Sequence, residues 1–387
     1  MSMPILDNSA DIPRHILMTA DTAGGVWTYA MELCRMLSQW KIHVSLVTMG
    51  PRPRERHRCE LGKLRNVELF ESEYKLEWMD DAEQDLERAA EWLMMLRDCA
   101  RPDLVHLNGY SYGALDWDTP VVVVAHSCVL SWHAAVKGSH PKRLETYRER
   151  VARGIGNADV LIAPSRAMLC EVERLYGPLA SSTVIPNGRT PELFPGGEKS
   201  DLILATGRLW DDAKNLRMLD SIAPGLAWPV YLAGEALHPN GMRTNVEHAR
   251  YLGSLPADEL APWFSRAAIY AAPAVYEPFG LSILEAALAG CALVLGDIPS
   301  LRENWDGAAV FALPDDRDQF QSALRDLIQD PERRRNLAAS AASRAQRFSP
   351  SAMVRGYFDA YRTARIQFSR KVQRSSVERW PSEVGIA

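Results

Sequence analysis

The stretch that most restricts what this chain can fold into is Tyr276–Gly290, Tyr-Glu-Pro-Phe-Gly-Leu-Ser-Ile-Leu-Glu-Ala-Ala-Leu-Ala-Gly. Glu277-Pro278-Phe279-Gly280 is turn chemistry: proline fixes one φ, and glycine opens backbone geometries that other residues avoid. From Leu281 onward the residues are strong helix formers, with Leu281, Leu284, Leu288 and Ala289 on one apolar face. Upstream, Ile269–Pro273 is a short apolar run suited to a buried strand. The unit is strand, glycine turn, helix. At such a junction the unpaired N–H groups and the positive dipole end of the helix converge, a natural seat for an anion, most often a phosphate.

Two carboxylates bracket this seat, Glu277 before the turn and Glu285 in the helix, with seven residues between them. Beside a phosphate a carboxylate repels unless it has its own partner, and vicinal sugar hydroxyls are good partners for an acceptor-only group. One acid then suits a ribose and the other a transferred sugar. A helix-terminal glutamate plus a solvated one explains the spacing equally well.

Glu277-Pro278-Phe279-Gly280, Leu284-Glu285-Ala286 and Ala289-Gly290 together resemble the Glu-x7-Glu signature of retaining glycosyltransferases of family 4. The resemblance implies the GT-B fold: an α/β protein of two Rossmann-like domains whose parallel sheets face each other across a cleft, with a last helix crossing back to the first domain. The totals agree with two domains. The 387 residues exceed one ordinary domain, and 47% hydrophobic with 24% charged residues is ordinary for a globular protein. A net charge of −5 does not suggest a nucleic-acid partner. Six scattered cysteines without a Cys-x-x-Cys pair argue against a disulfide framework or a zinc site and fit a reducing cytosol. The short apolar run Ile16–Ala20, after Asp7 and Asp11, reads as neither signal peptide nor membrane span.

In the first half, His15–Ala20 reads as a strand and Asp21–Gly25 as its turn, followed by helical spacing of Val26, Tyr29, Ala30, Leu33, Met36 and Leu37. The glycine pair is not Gly-x-Gly-x-x-Gly, so the dinucleotide fingerprint is absent. A tight turn and a close approach to ligand both explain it. The resemblance implies that Gly24-Gly25-Val26 leans over donor phosphates and acceptor, with Asp21 and Trp27 on the acceptor side. Val44–Thr48 is a second strand. Pro51–Arg58, carrying Arg52, Arg54, Arg56, His57 and Arg58, reads first as a solvated loop. Docking to anionic lipid at the cytoplasmic membrane face is its sharper alternative. Asp80–Ala100 is a predicted helix, and Asp103–Leu107 and Val121–Ala125 are predicted strands. Asp116-Trp117-Asp118 has the form of a metal-binding Asp-x-Asp triplet, but aspartates commonly start such turns and it is rejected as a metal site. His126 closes a strand at the end where ligand-facing residues gather, and the resemblance places it at the transferred sugar. Trp132 and His133 are expected on the next loop, at the acceptor pocket. The linker falls near 190–200, after Val184-Ile185-Pro186-Asn187-Gly188 and among Pro191, Pro195, Gly196 and Gly197.

In the second half, Leu202–Thr206 opens another α/β series and leads into Gly207-Arg208-Leu209, with Lys214 six residues after Arg208. An arginine fork and a lysine point charge suit a diphosphate. The string Gly207–Asn215 resembles the family's phosphate motif. Val230–Ala233, Arg250–Gly253 and Ala292–Leu295 continue the strands, and Ser351–Phe368 is the expected crossover helix, with a patternless tail from 369 to 387. The expected divisions are therefore 1–190, 200–350, 351–368 and 369–387. The resemblance implies that Leu252 and Gly253 flank the nucleobase. It gives Phe279, Gly280, Leu281 and Ser282 to the donor, with the amides at Gly280–Ser282 on its diphosphate, Glu277 on the sugar and Glu285 on the ribose. The expected catalytic set is His126, Arg208, Lys214 and Glu277. The expected activity is metal-independent, retaining hexosyl transfer from a nucleotide diphosphate sugar, UDP-glucose by family frequency, to a hydroxyl acceptor in exopolysaccharide or glycolipid assembly, with no cofactor. A sugar-nucleotide epimerase of the same fold is the alternative.

Overall fold

The computed structural model describes residues 12–22, 24–238 and 241–378. Continuous apolar runs such as Val121–Val124 and Val160–Ala163 mark strands buried on both faces, which is the composition of parallel sheets. Two all-parallel sheets form. The first comprises β1 (His15–Asp21), β2 (His43–Met49), β3 (Val67–Glu71), β4 (Leu104–Leu107), β5 (Val121–Val124), β6 (Val160–Ala163) and β7 (Ser182–Val184). Its order is β3-β2-β1-β4-β5-β6-β7. The second comprises β8 (Ser200–Thr206), β9 (Val230–Ala233), β10 (Arg250–Gly253), β11 (Ala267–Ala272), β12 (Ala292–Gly296) and β13 (Val310–Ala312). Its order, β10-β9-β8-β11-β12-β13, repeats the logic of the first. In such sheets a ligand crevice opens beyond the carboxyl ends of the strands where the order reverses. Here those points lie between β1 and β4 and between β8 and β11.

Helices α1 (Gly25–Gln39), α2 (Glu55–Leu61), α3 (Glu83–Ala100), α4 (Val129–Lys137), α5 (Glu145–Asn157) and α6 (Arg166–Tyr176) belong to the first sheet. With the second go α7 (Leu216–Ile222), α8 (Ala257–Arg266), α9 (Leu281–Leu288), α10 (Pro299–Trp305), α11 (Arg317–Gln329) and α12 (Pro331–Ala345). The last helix, α13 (Pro350–Glu378), leaves the second domain for the first. Ile16 and Met18 on β1 point to one face, where they share a core with Leu33 and Leu37 of α1 and with Tyr357, Phe358 and Tyr361 of α13. Leu17 points to the opposite core, with Leu93 of α3 and Val151 of α5. Full burial of large apolar side chains contributes roughly 1.5–3 kcal/mol each, so the crossing helix is held as core. It continues ten residues beyond the expected end at Phe368; the rest of the expected tail, 379–387, lies outside the described residues, as do Asp7, Asp11 and Ala23.

The chain passes between the sheets twice, and the two passages touch. The Arg189 amide donates to the Phe348 carbonyl at 3.1 Å, and a Cβ at Gly188 would stand 2.7 Å from the Ser349 backbone. Two other expectations change. The basic stretch 51–58 is not loop throughout: α2 starts at Glu55, its entry fixed by the Arg54 amide donating to His57 Nδ1 at 3.2 Å. Trp132 and His133 lie in α4 rather than on a loop, and Gly138, at φ 68°, ends that helix. No helix among the described residues is long and apolar enough to cross a membrane.

Candidate active site

At the end of β8 the chain turns through Gly207 into Arg208. Its guanidinium lies over the Trp210 ring, 5.1 Å from the centroid, and donates to Asp211 Oδ2 at 2.7 Å. Asp211 is buried and also accepts from Trp132 Nε1 and its near neighbour Ala213 N, both at 3.0 Å. Burial alone would raise its carboxyl, but Arg208 and Lys214 hold it below the ordinary aspartate range. Lys214 reaches the neighbouring turn and meets Glu277 Oε2 at 2.5 Å. Gly280, at φ 90°, turns the chain into α9. Behind that turn the Tyr270 hydroxyl donates to Ser282 Oγ at 2.8 Å. Two cations and two acids thus meet where β8 and β11 diverge, beside the start of a helix. The set is internally neutral, and a bound anion must compete with the two acids for the same cations.

Gly24 and Gly25 close the site from the first domain. A Cβ at Gly24 would stand 3.3 Å from Arg208 Nη1, and one at Gly25 would stand 3.3 Å from a Leu281 methyl. The pair brings the first domain's backbone against the second domain's arginine. His126 follows β5, and its Nε2 lies 2.8 Å from Asn108 Oδ1, with its ring edge-on to Tyr29 at 4.5 Å. Because Oδ1 only accepts, Nε2 is the donor. Burial pushes the His126 imidazole down to about 3, so it is neutral at physiological pH. His133 is lowered too, by burial and then by Arg143, His140 and Lys137. It packs edge-on to Trp132, with Nδ1 buried and unpartnered.

Further contacts fasten the two domains. Lys137 meets Asp212 at 2.7 Å, Ser165 Oγ donates to the Pro278 carbonyl at 2.7 Å, and the Cys128 amide donates to the Tyr276 hydroxyl at 3.1 Å. Glu303 of α10 accepts from the Arg166 and Ala167 amides at 2.7 and 2.8 Å. Its charge sits at the positive end of α6, where an acid is stabilising.

Other expected site residues have different surroundings. Glu285 is not a solitary acid: Arg189 Nε donates to its Oε1 at 2.8 Å, and Arg189 Nη1 donates to Glu32 Oε2 at 3.1 Å. Thr190 Oγ1 donates to the other Glu32 oxygen at 2.5 Å. Burial raises the Glu285 carboxyl above the ordinary glutamate range, and Arg189 offsets only part of that. The Phe279 side chain is buried edge-on to Phe348, 5.4 Å between centroids, so its ring serves the core and only its backbone is left for a donor. Trp27 is also core: it is 4% exposed, and its indole donates to Glu60 at 3.0 Å. On an amphipathic helix, position 27 faces α2, not the cleft. Asp21 ends β1, and Leu252 and Gly253 end β10, all partly exposed at the cleft ends of their strands.

In the Asp116-Trp117-Asp118 triplet, Trp117 is buried and donates to the Tyr112 carbonyl at 2.8 Å, while Asp118 lies 3.8 Å from Arg97. Among the described residues no cluster of three or more His, Cys, Asp or Glu could hold a metal. The basic stretch is largely matched by acids, with Arg52 to Glu73 at 2.9 Å, Arg54 to Glu235 at 3.9 Å and Arg58 to Glu71 at 2.5 Å.

Residues 23–193 match the family model for Glycosyltransferase Family 4, and residues 200–330 match that for Glycosyl transferases group 1. The chain belongs to glycosyltransferase family 4. This family 4 chain is 29% identical over 271 residues to glycogen synthase of Mycobacterium tuberculosis, a match spanning 63% of this chain and 64% of that protein. It is 24% identical to D-inositol 3-phosphate glycosyltransferase of Corynebacterium diphtheriae, covering 84% of this chain and 87% of the relative. Sucrose-phosphate synthase from Thermosynechococcus elongatus has the same fold, with a TM-score of 0.75 at 18% identity over 90% of this chain and 98% of its own. Anabaena Alr3699/HepE, solved with UDP and glucose, superposes with a TM-score of 0.70 at 15% identity, covering 90% of this chain and 99% of its own. The fold is GT-B.

Sequence reasoning missed Glu32, Asn108, Arg189 and Asp211. Glu32 alone left a signal. It sits on the buried face of α1 beside Tyr29, Leu33 and Met36, and a carboxylate buried there demands a partner.

Proposed function

We propose that this protein transfers a hexosyl unit from a nucleotide diphosphate sugar, UDP-glucose in the first instance, to a hydroxyl acceptor with retention at the anomeric carbon. The observation that carries the reading is the convergence of Arg208, Lys214 and Glu277 at the switch point of the second sheet, with Gly24 packed against Arg208 and Gly25 against Leu281. In the reaction the bond from the anomeric carbon to the diphosphate breaks, and the charge growing on the leaving oxygen falls to Arg208, Lys214 and the amides at Gly280–Ser282. Preorganised donors aimed at developing charge commonly supply the largest single catalytic contribution. Arg208 and Lys214 leave Asp211 and Glu277 to meet the diphosphate, and the freed Glu277 carboxylate then accepts from hydroxyls of the sugar. Glu285, with Oε1 occupied by Arg189, has Oε2 for the ribose. The acceptor hydroxyl attacks from the face the diphosphate leaves, and a diphosphate oxygen takes its proton. His126 lines the sugar side as a neutral group. Contact between the domains excludes water that would otherwise hydrolyse the donor.

Thermal shift against UDP, GDP and ADP sugars identifies the donor, since a ligand that binds only the folded state raises the melting temperature. Stabilisation by UDP-glucose that is lost in Arg208→Ala and Lys214→Ala is the expected result; stabilisation that persists in both variants sinks the phosphate assignment. NMR of the product reads the anomeric configuration. Conversion of donor incubated alone would mark an epimerase instead.

A further inference from the structure

Asn108 stands just beyond β4, at the switch point of the first sheet, and its amide group is fixed from behind. Its Nδ2 lies 2.7 Å from the Thr19 carbonyl, and its backbone N–H donates to Thr19 Oγ1 at 2.9 Å. Only the NH2 end of an amide can donate to a carbonyl, so this contact settles which way the side chain faces. Oδ1 is left toward His126 Nε2, 2.8 Å away. A carbonyl oxygen only accepts, so the proton of the neutral imidazole belongs on Nε2 and Nδ1 keeps its lone pair. Among the described residues Nδ1 has no hydrogen-bond partner, and the half-buried ring is held in plane by Tyr29.

The support continues inward. His106 Nε2 lies 3.3 Å from the same Oδ1 and 3.1 Å from the Tyr29 hydroxyl, and His106 Nδ1 lies 2.9 Å from the Tyr361 hydroxyl. Tyr361 and His106 are both fully buried. The crossover helix therefore backs the site through Tyr361, His106 and Asn108, and a hydrogen-bonded network with a buried inner end favours one geometry.

We propose that Asn108 is a positioning residue that holds His126 as the Nε2–H tautomer, so that Nδ1 accepts a hydrogen bond from a hydroxyl of the transferred sugar. The claim about the sugar rests on the reading of His126 given above; the claim about the tautomer does not. Two measurements therefore separate them.

The first is long-range 1H–15N correlation of protein labelled at histidine, with the His126 signals assigned by their loss in His126→Gln. The expected result is a proton on Nε2 and none on Nδ1 in the wild type, and a mixture of tautomers in Asn108→Ala. A wild-type signal from Nδ1–H overturns the proposal, and needs no variant to fold beyond the one used for assignment. An unchanged Nε2–H signal in Asn108→Ala overturns it as well. The second measurement compares monodeoxyfluoro analogues of the donor sugar, because fluorine cannot donate. Wild type should discriminate against one position by about tenfold, the worth of roughly one hydrogen bond. Asn108→Ala should lose that discrimination while donor KM changes little. Equal discrimination in both proteins overturns the sugar contact.

Discussion

Glu277 and Glu285 flank one short turn and helix, yet they have opposite surroundings. Glu277 is paired with Lys214 from its own domain, in a part-exposed contact that, in the proposed function, a diphosphate replaces. Glu285 is buried against Arg189 on the passage between domains, and through it reaches Glu32 on α1. The first acid is paired with an exchangeable cation, the second with a structural one. Equal spacing on the page therefore does not mean equal roles, because a carboxylate's behaviour is set by which cation reaches it and by how dry the contact is.

The sharpest way to break this comparison is Arg189→Ala. It leaves Glu285 without its cation and Glu32 with Arg35 alone, and removing one partner of a buried pair costs about 3–5 kcal/mol. Urea denaturation should show that loss. A midpoint within error of wild type would show Glu285 to be as free as Glu277.

Next in size is Lys214→Ala, which should cut turnover by about 10²–10³, the cost of one donor to developing charge. The melting temperature should move little. Glu277→Gln should behave likewise, lowering kcat without unfolding, whereas a large loss of stability there would make both acids structural.

The pH dependence tests the buried acid alone. The folded Glu285 carboxyl titrates above its ordinary value of 4.5, so only between the unfolded and folded values does the native state keep a proton that the unfolded chain has released. Stability from this group is full below the unfolded value and declines as pH rises through the folded one. Measured from pH 4.5 upward, wild type should therefore lose stability relative to Glu285→Gln. A rising difference would reverse the assigned balance between burial and Arg189.

The smallest effect is expected for Trp132→Phe, which deletes the indole hydrogen bond to Asp211 across the cleft. About 1 kcal/mol is at stake. It should appear as a raised donor KM if closure of the domains helps hold the donor, and not as a loss of fold.

Much of this molecule was legible in its sequence because the signals are local. The runs at 121–125 and 202–206 read as strands without any knowledge of their neighbours, and the turn at Gly280 read as a seat for an anion. Arg208, Lys214 and Glu277 were named from motif and chemistry, and the structure brings them together. Other assignments failed where contacts were decided far along the chain. Trp27 read as a cleft residue because it follows the glycine pair, but α2 covers it. Phe279 sits inside the motif, but its ring packs on Phe348, so only its backbone is left for a ligand.

By itself the sequence determined the repeated strand-and-helix alternation and the charged groups at the second domain's glycine turns, since periodicity, turn chemistry and helix formation depend on near neighbours; the strand orders, and so the two switch points, came from the tertiary structure. The tertiary structure alone decided that Arg189 meets Glu32 across 157 positions of chain, that Tyr361 props His106 across 255, and that Asn108 sets the histidine beside the cleft. Such pairings depend on two sheets and a returning helix being closed on one another. Their strength comes from the water excluded when that happens, which no stretch of sequence can display.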